Sequence, residues 1–552
     1  MDIIGKNTPF KDLKKYLNIN LSYNINIFVC NTILLASILL CILYIAYASL
    51  ALSPGRSFWY DEFHIAWRLS EYNLFEVLIN SFDENVGRMP AYMALNDIIA
   101  TIYNHPFTLR TANFIPYFLI VVLLLSFARQ HGLVFSLTLI LTVLVSDNFV
   151  QMMATFKPYV WDVAAILMAL HFIGKIRAKN PSSVWTALLA TTIAAAFTHI
   201  AWPLMAALSL WQIWVLAPQA TTFQNTARFF INQLNAFKWH AVTITLIWIY
   251  LLQYIARYFL GGNETFFSYV AVEQSDSGAT LQSVITTFFS QSYAIIHEFG
   301  VMSFSQDMPF SFVPANTAGI ALVLFFVFVG SAFSRNRLVI VCLGAILISY
   351  IVSIFSNWPF DAERWSMAFF VFFAIPMAVS MQRLSHYSRL SAISLFFAFA
   401  AFQLPLQAHP NGIQFHNANY QYTRMHPSTS TVEGLRWLDE RIENLNVTLL
   451  GNFTLEMAFE YYVHSARVRP FKTLRDTPRV SVSDIESLQN IVTENPNQYY
   501  AFVNFHRLSI VTESLNWIEN NCTILDELSH GDQIGDHLVL RTKIVIFTCS
   551  QD

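Results

Sequence analysis

The run Ile27-Phe-Val-Cys-Asn-Thr-Ile-Leu-Leu-Ala-Ser-Ile-Leu-Leu-Cys-Ile-Leu-Tyr-Ile-Ala-Tyr-Ala-Ser-Leu-Ala-Leu52, followed shortly by Ser57-Phe-Trp-Tyr-Asp61-Glu62-Phe-His64, decides the fold. The run carries no charge and exceeds the roughly twenty residues needed to cross a bilayer. It is too long for the apolar part of a signal peptide, and the stretch before it is polar and lysine-bearing, so a retained transmembrane helix is expected. Two carboxylates then stand just past its end. Acids held beside a membrane face cost free energy, which points to a functional role.

Working outward, the composition agrees. The chain has 552 residues, 55% of them hydrophobic and 12% charged, about half the charged share of an ordinary soluble domain. A net charge of −3 gives no footing for a nucleic-acid partner. Apolar runs predict spans at 27–50, 112–128, 133–150, 158–174, 184–199, 201–217, 240–258, 313–333, 337–355, 365–381 and 390–407, about eleven in all. The stretch 89–105 holds Asn96, Asp97, Asn104 and His105 and is expected to be an interfacial helix. The segment from about 259 to 312 is expected to be an outer loop without Lys or Arg.

Charge placement tests this count. Lys6, Lys11, Lys14 and Lys15 precede the first span, and Arg129, Lys175, Arg177, Lys179, Arg228, Lys238, Arg335, Arg337, Arg383 and Arg389 fall in alternate loops. The positive-inside rule puts that side in the cytoplasm, together with the N-terminus, and places the tail outside. The expected fold is thus an α-helical polytopic membrane bundle over 1–407, with a large first outer loop at 51–111, and a C-terminal extracytoplasmic α/β domain over 408–552. The absence of organelle signals favours a bacterial inner membrane.

In the tail, Ser430 and Glu433 form a capping-box pattern opening a helix. Strands are expected at 447–450, 499–504, 522–528 and 537–546, and helices at 454–462, 484–493 and 511–520, giving a partly parallel sheet. Cys30, Cys41 and Cys342 lie in apolar spans and are expected to be inert, whereas Cys522 and Cys549 could pair if the tail is extracytoplasmic. Asn263, Asn446, Asn452 and Asn521 begin N-x-Ser/Thr triplets, which matter only in a glycosylating lumen.

Three charged patches fall on the outer side. In the first, Asp61 or Glu62, partly shielded from water, could serve as a general base; the same acids could instead pair with Arg56, Arg68 or Arg88. In the second, Lys157-Pro-Tyr159-Val-Trp161-Asp162 puts a lysine at a helix mouth where an anion could meet both its ammonium and the helix N-terminus. Tyr159 and Asp162 share a helix face, and a plain interfacial Lys–Asp pair is the alternative. In the third, Trp358-Pro-Phe-Asp361-Ala-Glu363-Arg364-Trp365 offers a guanidinium fork suited to phosphate oxygens, or simply an arginine held by neighbouring acids. A base with two cations around one mouth suits transfer from a phosphate leaving group.

This ordered set resembles the C-type integral-membrane glycosyltransferases that use polyprenyl-phosphate sugars, nearest the branch of protein O-mannosyltransferases and the aminoarabinose transferase of lipid A. The Asp-Glu pair of that family's first outer loop is matched by Asp61-Glu62. Its His-Pro-Pro-Leu-Tyr segment corresponds to Arg88-Met89-Pro90-Ala91-Tyr92, with the His and first Pro replaced. Its Leu-Arg pair resembles Leu109-Arg110, its Lys-x-Tyr-x-x-Asp element Lys157 to Asp162, and its late Tyr-Pro and Arg-aromatic elements Trp358-Pro359 and Arg364-Trp365. The resemblance covers roughly residues 25 to 407.

The resemblance implies an inverting transfer to a lipid, glycan or protein acceptor. Asp61 would be the base, and Glu62 would assist it. Lys157 and Arg364 would hold the donor phosphate. Arg88, Tyr92, Arg110, Tyr159, Asp162 and Glu363 would support them. No cofactor is required; a divalent metal is compatible but not needed, because the cations could do its work. The alternative function is a multi-span transporter or lipid flippase, against which stand the scarcity of acids within the spans and the absence of evident inverted repeats. A non-catalytic scaffold would leave the three patches unexplained.

Overall fold

The structure, a computed structural model, describes residues 31–47, 65–66, 69, 74–76, 89–102, 106–144, 149, 152–153, 156, 158–177, 181–216, 232, 235–260, 281–296, 336–355, 367–388, 431–451, 453–464, 471–504, 512–534 and 537–549. Its helical part begins with α1 (Asn31–Tyr47). There follow α2 (Pro90–Ile102), α3 (Pro106–Thr111), α4 (Phe114–His131), α5 (Leu133–Leu139, running on as a π-turn over Ile140–Leu144), α6 (Tyr159–Gly174) and α7 (Pro181–Phe197). Then come α8 (Ala201–Leu216), α9 (Lys238–Leu260), α10 (Leu281–Ile296), α11 (Arg337–Phe355) and α12 (Met367–Tyr387).

These helices match nine of the expected runs, while 313–333 and 390–407 lie outside the described residues. By length and composition two described helices are able to cross a membrane, Thr108–His131 and Met367–Tyr387. The other apolar stretches of this kind run 10–17 residues, Lys238–Leu252 within α9 and Arg337–Ser353 within α11 among them, so the count of about eleven spans is an expectation that the described residues leave short. The interfacial helix expected at 89–105 is α2. The segment taken as an outer loop from about 259 to 312 contains α10. Its Gln282, Thr286, Thr287, Ser290, Gln291 and Ser292 dilute the apolar run, which is why it does not stand out as a span.

Helix α1 displays the logic of a bundle in lipid. Leu34, Ile38, Cys41 and Ile45, spaced by four, three and four residues, are buried on one stripe. Leu35, Leu39, Leu40 and Leu43 stay exposed on the other, where lipid would cover them. Without a hydrophobic drive inside a bilayer, helices associate through close packing and hydrogen bonds. Accordingly Tyr117 donates to the Ile42 carbonyl at 2.7 Å, and the Trp248 indole to Thr192 Oγ1 at 3.1 Å. A Cβ on Gly344 would sit 3.1 Å from that of Ala207, so the glycine lets α8 and α11 approach closely. Helix α6 lies centrally, against α4, α7, α11 and α12.

The α4–α5 turn shows how one end is fixed. Gly132 has φ +106°, a conformation suited to glycine, and the Gln382 side chain from α12 fills the space a Cβ would need. Gln382 Oε1 accepts the Phe135 amide at 3.1 Å, and Ser136 donates to the Leu124 carbonyl at 2.7 Å. Gln130 reaches His171 at this same end. Arg129, Lys175, Lys238, Arg337 and Arg383 all lie at or near helix ends on this side.

The tail is built on α13 (Thr431–Arg441), β1 (Val447–Gly451), α14 (Phe453–Ala458, continued by a π-turn Phe459–His464), β2 (Arg479–Ser481), α15 (Ile485–Glu494), β3 (Tyr499–Asn504), α16 (Thr512–Asn521), β4 (Thr523–Ile534) and β5 (His537–Thr548). The strand order is β2-β1-β3-β5-β4, parallel across β2-β1-β3 and antiparallel beyond. The partly parallel sheet was legible; the three-residue β2 was not. Ser430 of the anticipated capping box lies outside the described residues, and the described box is formed by Asp484 and Ser487 at the start of α15. Asp439 anchors the loop before β2 by accepting the amides of Lys472, Thr473 and Leu474 at 2.8–2.9 Å.

The sheet has two apolar faces. Leu450, Tyr500, Phe502, Val545 and Phe547 pack with α15 and α16. Leu449, Ala501, Val503, Ile544 and Ile546 face α13 and α14, and this cluster runs on without a break into Ile65, Tyr92, Met93, Leu109, Phe156 and Trp161. The tail is therefore seated on α2, α3 and the N-terminal end of α6, opposite the end that carries Lys175.

The pairing Thr523–Thr548 brings Cys522 opposite Cys549, and the two are disulfide-bonded. Closing this loop of 27 residues restrains the unfolded chain. Cys522→Ser is expected to remove about 3 kcal/mol from the stability of the tail, seen as an earlier thermal transition in non-reducing conditions. An unchanged transition would refute the bridge.

Candidate functional site

Of the residues picked out in the sequence, Tyr92, Arg110, Tyr159 and Asp162 fall among the described residues. Asp61, Glu62, Arg88, Lys157, Glu363 and Arg364 lie outside them.

Tyr159 and Asp162 lie in the first turn of α6, and Tyr92 shares an apolar cluster with Trp161 of that turn. Tyr92 lies in the first turn of α2, fully buried, its ring 6.3 Å from that of Phe156. Arg110 sits in the last turn of α3, where its charge suits the helix dipole, and it too is buried. Asn113, just beyond, donates from Nδ2 to the Met152 carbonyl at 3.1 Å, tying the start of α4 to the segment before α6. Pro158 precedes α6, as the sequence implied, and offers no side-chain cap. Tyr159 is half-buried against the main bundle core.

Asp162 is 5% exposed and accepts the Thr198 hydroxyl. Thr198 Oγ1 in turn accepts the Ile200 amide at 3.3 Å, so one threonine ties the first turn of α6 to the α7–α8 turn. Beside it, Trp161 stacks on Phe197 with centroids 5.5 Å apart and planes 10° from parallel. His199 follows in the same turn, its ring 6.4 Å from Trp202.

Asp97 was noticed only as a polar interruption of α2. It is 6% exposed, and burial raises its proton affinity above the ordinary aspartate range. Thr198 gave no signal beyond its place in the break between two apolar runs. Among the described residues no three His, Cys, Asp or Glu side chains are grouped to hold a metal ion.

No family model matches the chain. No curated protein sequence matches it either. Its structure is similar to that of ArnT from Cupriavidus metallidurans bound to undecaprenyl phosphate, at 11% identity over 93% of this chain and 97% of that one, with a TM-score of 0.48. It is also similar to the Archaeoglobus fulgidus oligosaccharyltransferase in complex with Zn and sulfate, at 11% identity, covering 84% of this chain and 67% of that one, TM-score 0.41. A third likeness is to the arabinofuranosyltransferase AftD from Mycobacteria, at 12% identity, covering 95% of this chain and 40% of that one, TM-score 0.41. At such identities no residue's role passes from them to this chain.

Thr198→Val leaves both the Asp162 carboxylate and the Ile200 amide without their partner and is expected to cost about 1–3 kcal/mol, while Thr198→Ser stays near wild type; thermal unfolding of the purified protein separates them. For Asp97 the sign is opposite. Its folded-state affinity for a proton exceeds the unfolded one, so the fold is favoured at low pH and penalised as pH rises through the folded value. Asp97→Asn is therefore expected to raise the melting temperature at neutral pH and to narrow the gap from wild type as the buffer is acidified.

Proposed function

We propose that this chain is an integral-membrane glycosyltransferase that moves a sugar from a polyprenyl-phosphate donor to an acceptor hydroxyl on the extracytoplasmic face, with inversion. The observation that carries the reading is the single apolar core shared by Tyr92, Phe156 and Trp161 with the tail. Segments that carry three of the motifs thereby share one apolar cluster, through Tyr92, Leu109 and Trp161.

In the proposed reaction the Asp61 carboxylate takes the acceptor's hydroxyl proton. The acceptor oxygen forms a bond to the anomeric carbon from the face opposite the phosphate, and the bond from that carbon to the phosphate oxygen breaks. The leaving polyprenyl phosphate keeps the electron pair, and Lys157 and Arg364 stabilise its charge. Glu62 assists or binds the sugar or acceptor. Arg88, Tyr92, Arg110, Tyr159, Asp162 and Glu363 hold the mouth in shape. These roles rest on the motif resemblance.

Two features support the sidedness. Arg129, Lys175, Lys238, Arg337 and Arg383 stand at or near helix ends away from the tail, as the positive-inside rule asks of a cytoplasmic end, while Arg110 stands on the tail side. The Cys522–Cys549 disulfide suits an oxidising compartment for the tail, such as a bacterial periplasm. We assign 1–407 to the membrane unit and 408–552 to the extracytoplasmic domain.

The direct test is to incubate purified protein with a panel of polyprenyl-phosphate sugars and follow donor loss and polyprenyl-phosphate release by mass spectrometry. Asp61→Asn is expected to slow transfer about 10²–10⁴-fold while inserting and melting like wild type. Wild-type rates in that variant would remove Asp61 as the base, and a wild type inert towards the whole panel would count against the reaction.

A further inference from the structure

The stacked indole of Trp161 carries a feature that its packing does not explain. Its Nε1 is buried, the residue being 7% exposed, and has no hydrogen-bond acceptor among the described residues. Two other described indoles of this bundle are satisfied. Trp202 Nε1 donates to the Ala195 carbonyl at 3.2 Å, and Trp248 Nε1 to Thr192 Oγ1 at 3.1 Å. Buried Trp N–H groups ordinarily find partners, so an orphan calls for an explanation.

Its position supplies one. Trp161 is the third residue of the 16-residue helix α6, and helical side chains lie back over the turn N-terminal to them. The ring stacks on Phe197, and the residue belongs to the first turn of a helix that has no side-chain cap. A helix start already favours negative charge through its open amides. Asp162, the acid of that turn, is engaged by Thr198.

We infer that the Trp161 indole N–H is a binding group for a phosphate oxygen of the lipid carrier, held ready at the outer end of α6. This rests on the proposed function and deepens it: Trp161 adds a neutral, oriented donor to the cations assigned from the motifs. A neutral donor contributes direction instead of charge, so it selects for an oxygen at one place at the mouth.

The test compares wild type, Trp161→Phe and Phe197→Leu in detergent, titrated with undecaprenyl phosphate, undecaprenol and inorganic phosphate and read by native mass spectrometry. Trp161→Phe keeps an aromatic ring and loses the N–H. Its affinity for undecaprenyl phosphate is expected to fall about fivefold to tenfold, with undecaprenol retention unchanged. Phe197→Leu, which disturbs the same stack and spares the N–H, is expected to bind undecaprenyl phosphate within about twofold of wild type, the margin left by lost packing alone. Equal weakening by both variants, or a parallel loss of undecaprenol, would make Trp161 a packing residue and overturn the inference. Inorganic phosphate bound as tightly as the lipid would overturn it too, since the site would then serve a free anion. Wild type that retains undecaprenyl phosphate, with Trp161→Phe indistinguishable, overturns this inference alone; wild type that retains none overturns it together with the reading on which it rests.

Discussion

The contact on which the architecture turns is the apolar seam between the tail and the outer end of the bundle. Tyr92, Met93, Leu109, Phe156 and Trp161 come from segments scattered along the first third of the chain, and each is buried against the same core as Leu435, Leu438, Phe459 and Tyr462. This seam lies where water would otherwise reach, so the hydrophobic effect drives its closure. In the membrane bundle that the sequence leads one to expect, that drive would be absent, and the packing shows small residues such as Ala187, Ala194, Ala195 and Gly344 and hydroxyl and indole hydrogen bonds. Two kinds of cohesion thus meet at the N-terminal end of α6.

That meeting point is also tightly constrained. Helix α6 is buried along most of its length, with Val163, Ile166, Leu170 and Ile173 fully inaccessible, so its first turn cannot shift without disturbing four neighbouring helices. Thr198 adds a hydrogen-bonded tie from the side, and the Trp161–Phe197 stack adds another. Groups that must hold a ligand in one geometry are best carried on elements of this kind. The same rigidity has a cost elsewhere: Asp97 is retained as an acid in a place where burial disfavours its charged form. A chain selected for stability alone would have had an amide there.

Most of the bundle could be read from the sequence because a bilayer leaves a chain few options. Every backbone amide in lipid must be bonded internally, so a long uncharged run is a helix almost by necessity. The run at 158–174 reappears as Tyr159–Gly174 for that reason. Helix α10 escaped because its polar residues lower the signal without preventing the fold, and its Phe288 finds Tyr350 of α11 at 4.9 Å only in three dimensions. The three-residue β2 escaped because a strand so short is specified by its neighbour: its register runs from Leu449–Arg479 to Gly451–Ser481 along β1. Tyr92, Arg110 and Asp162 stand out in the sequence as spaced motif positions, and all three are buried. The partnership of Thr198 with Asp162 was not, because 36 residues separate them and neither neighbourhood names the other.

The orphaned indole belongs to a different class of information. A sequence records that Trp161 precedes Asp162, and periodicity places it on the helix; neither reports whether its N–H is satisfied. That depends on where Phe197 fixes the ring and on the carbonyls that happen to lie near it. Trp202, in the next helix pair, meets the Ala195 carbonyl and becomes structural. Trp161, equally buried and equally aromatic in its surroundings, meets no described acceptor. The difference between the two is one of tertiary placement alone, and it is through such placement that a residue type used everywhere for packing becomes available for recognition.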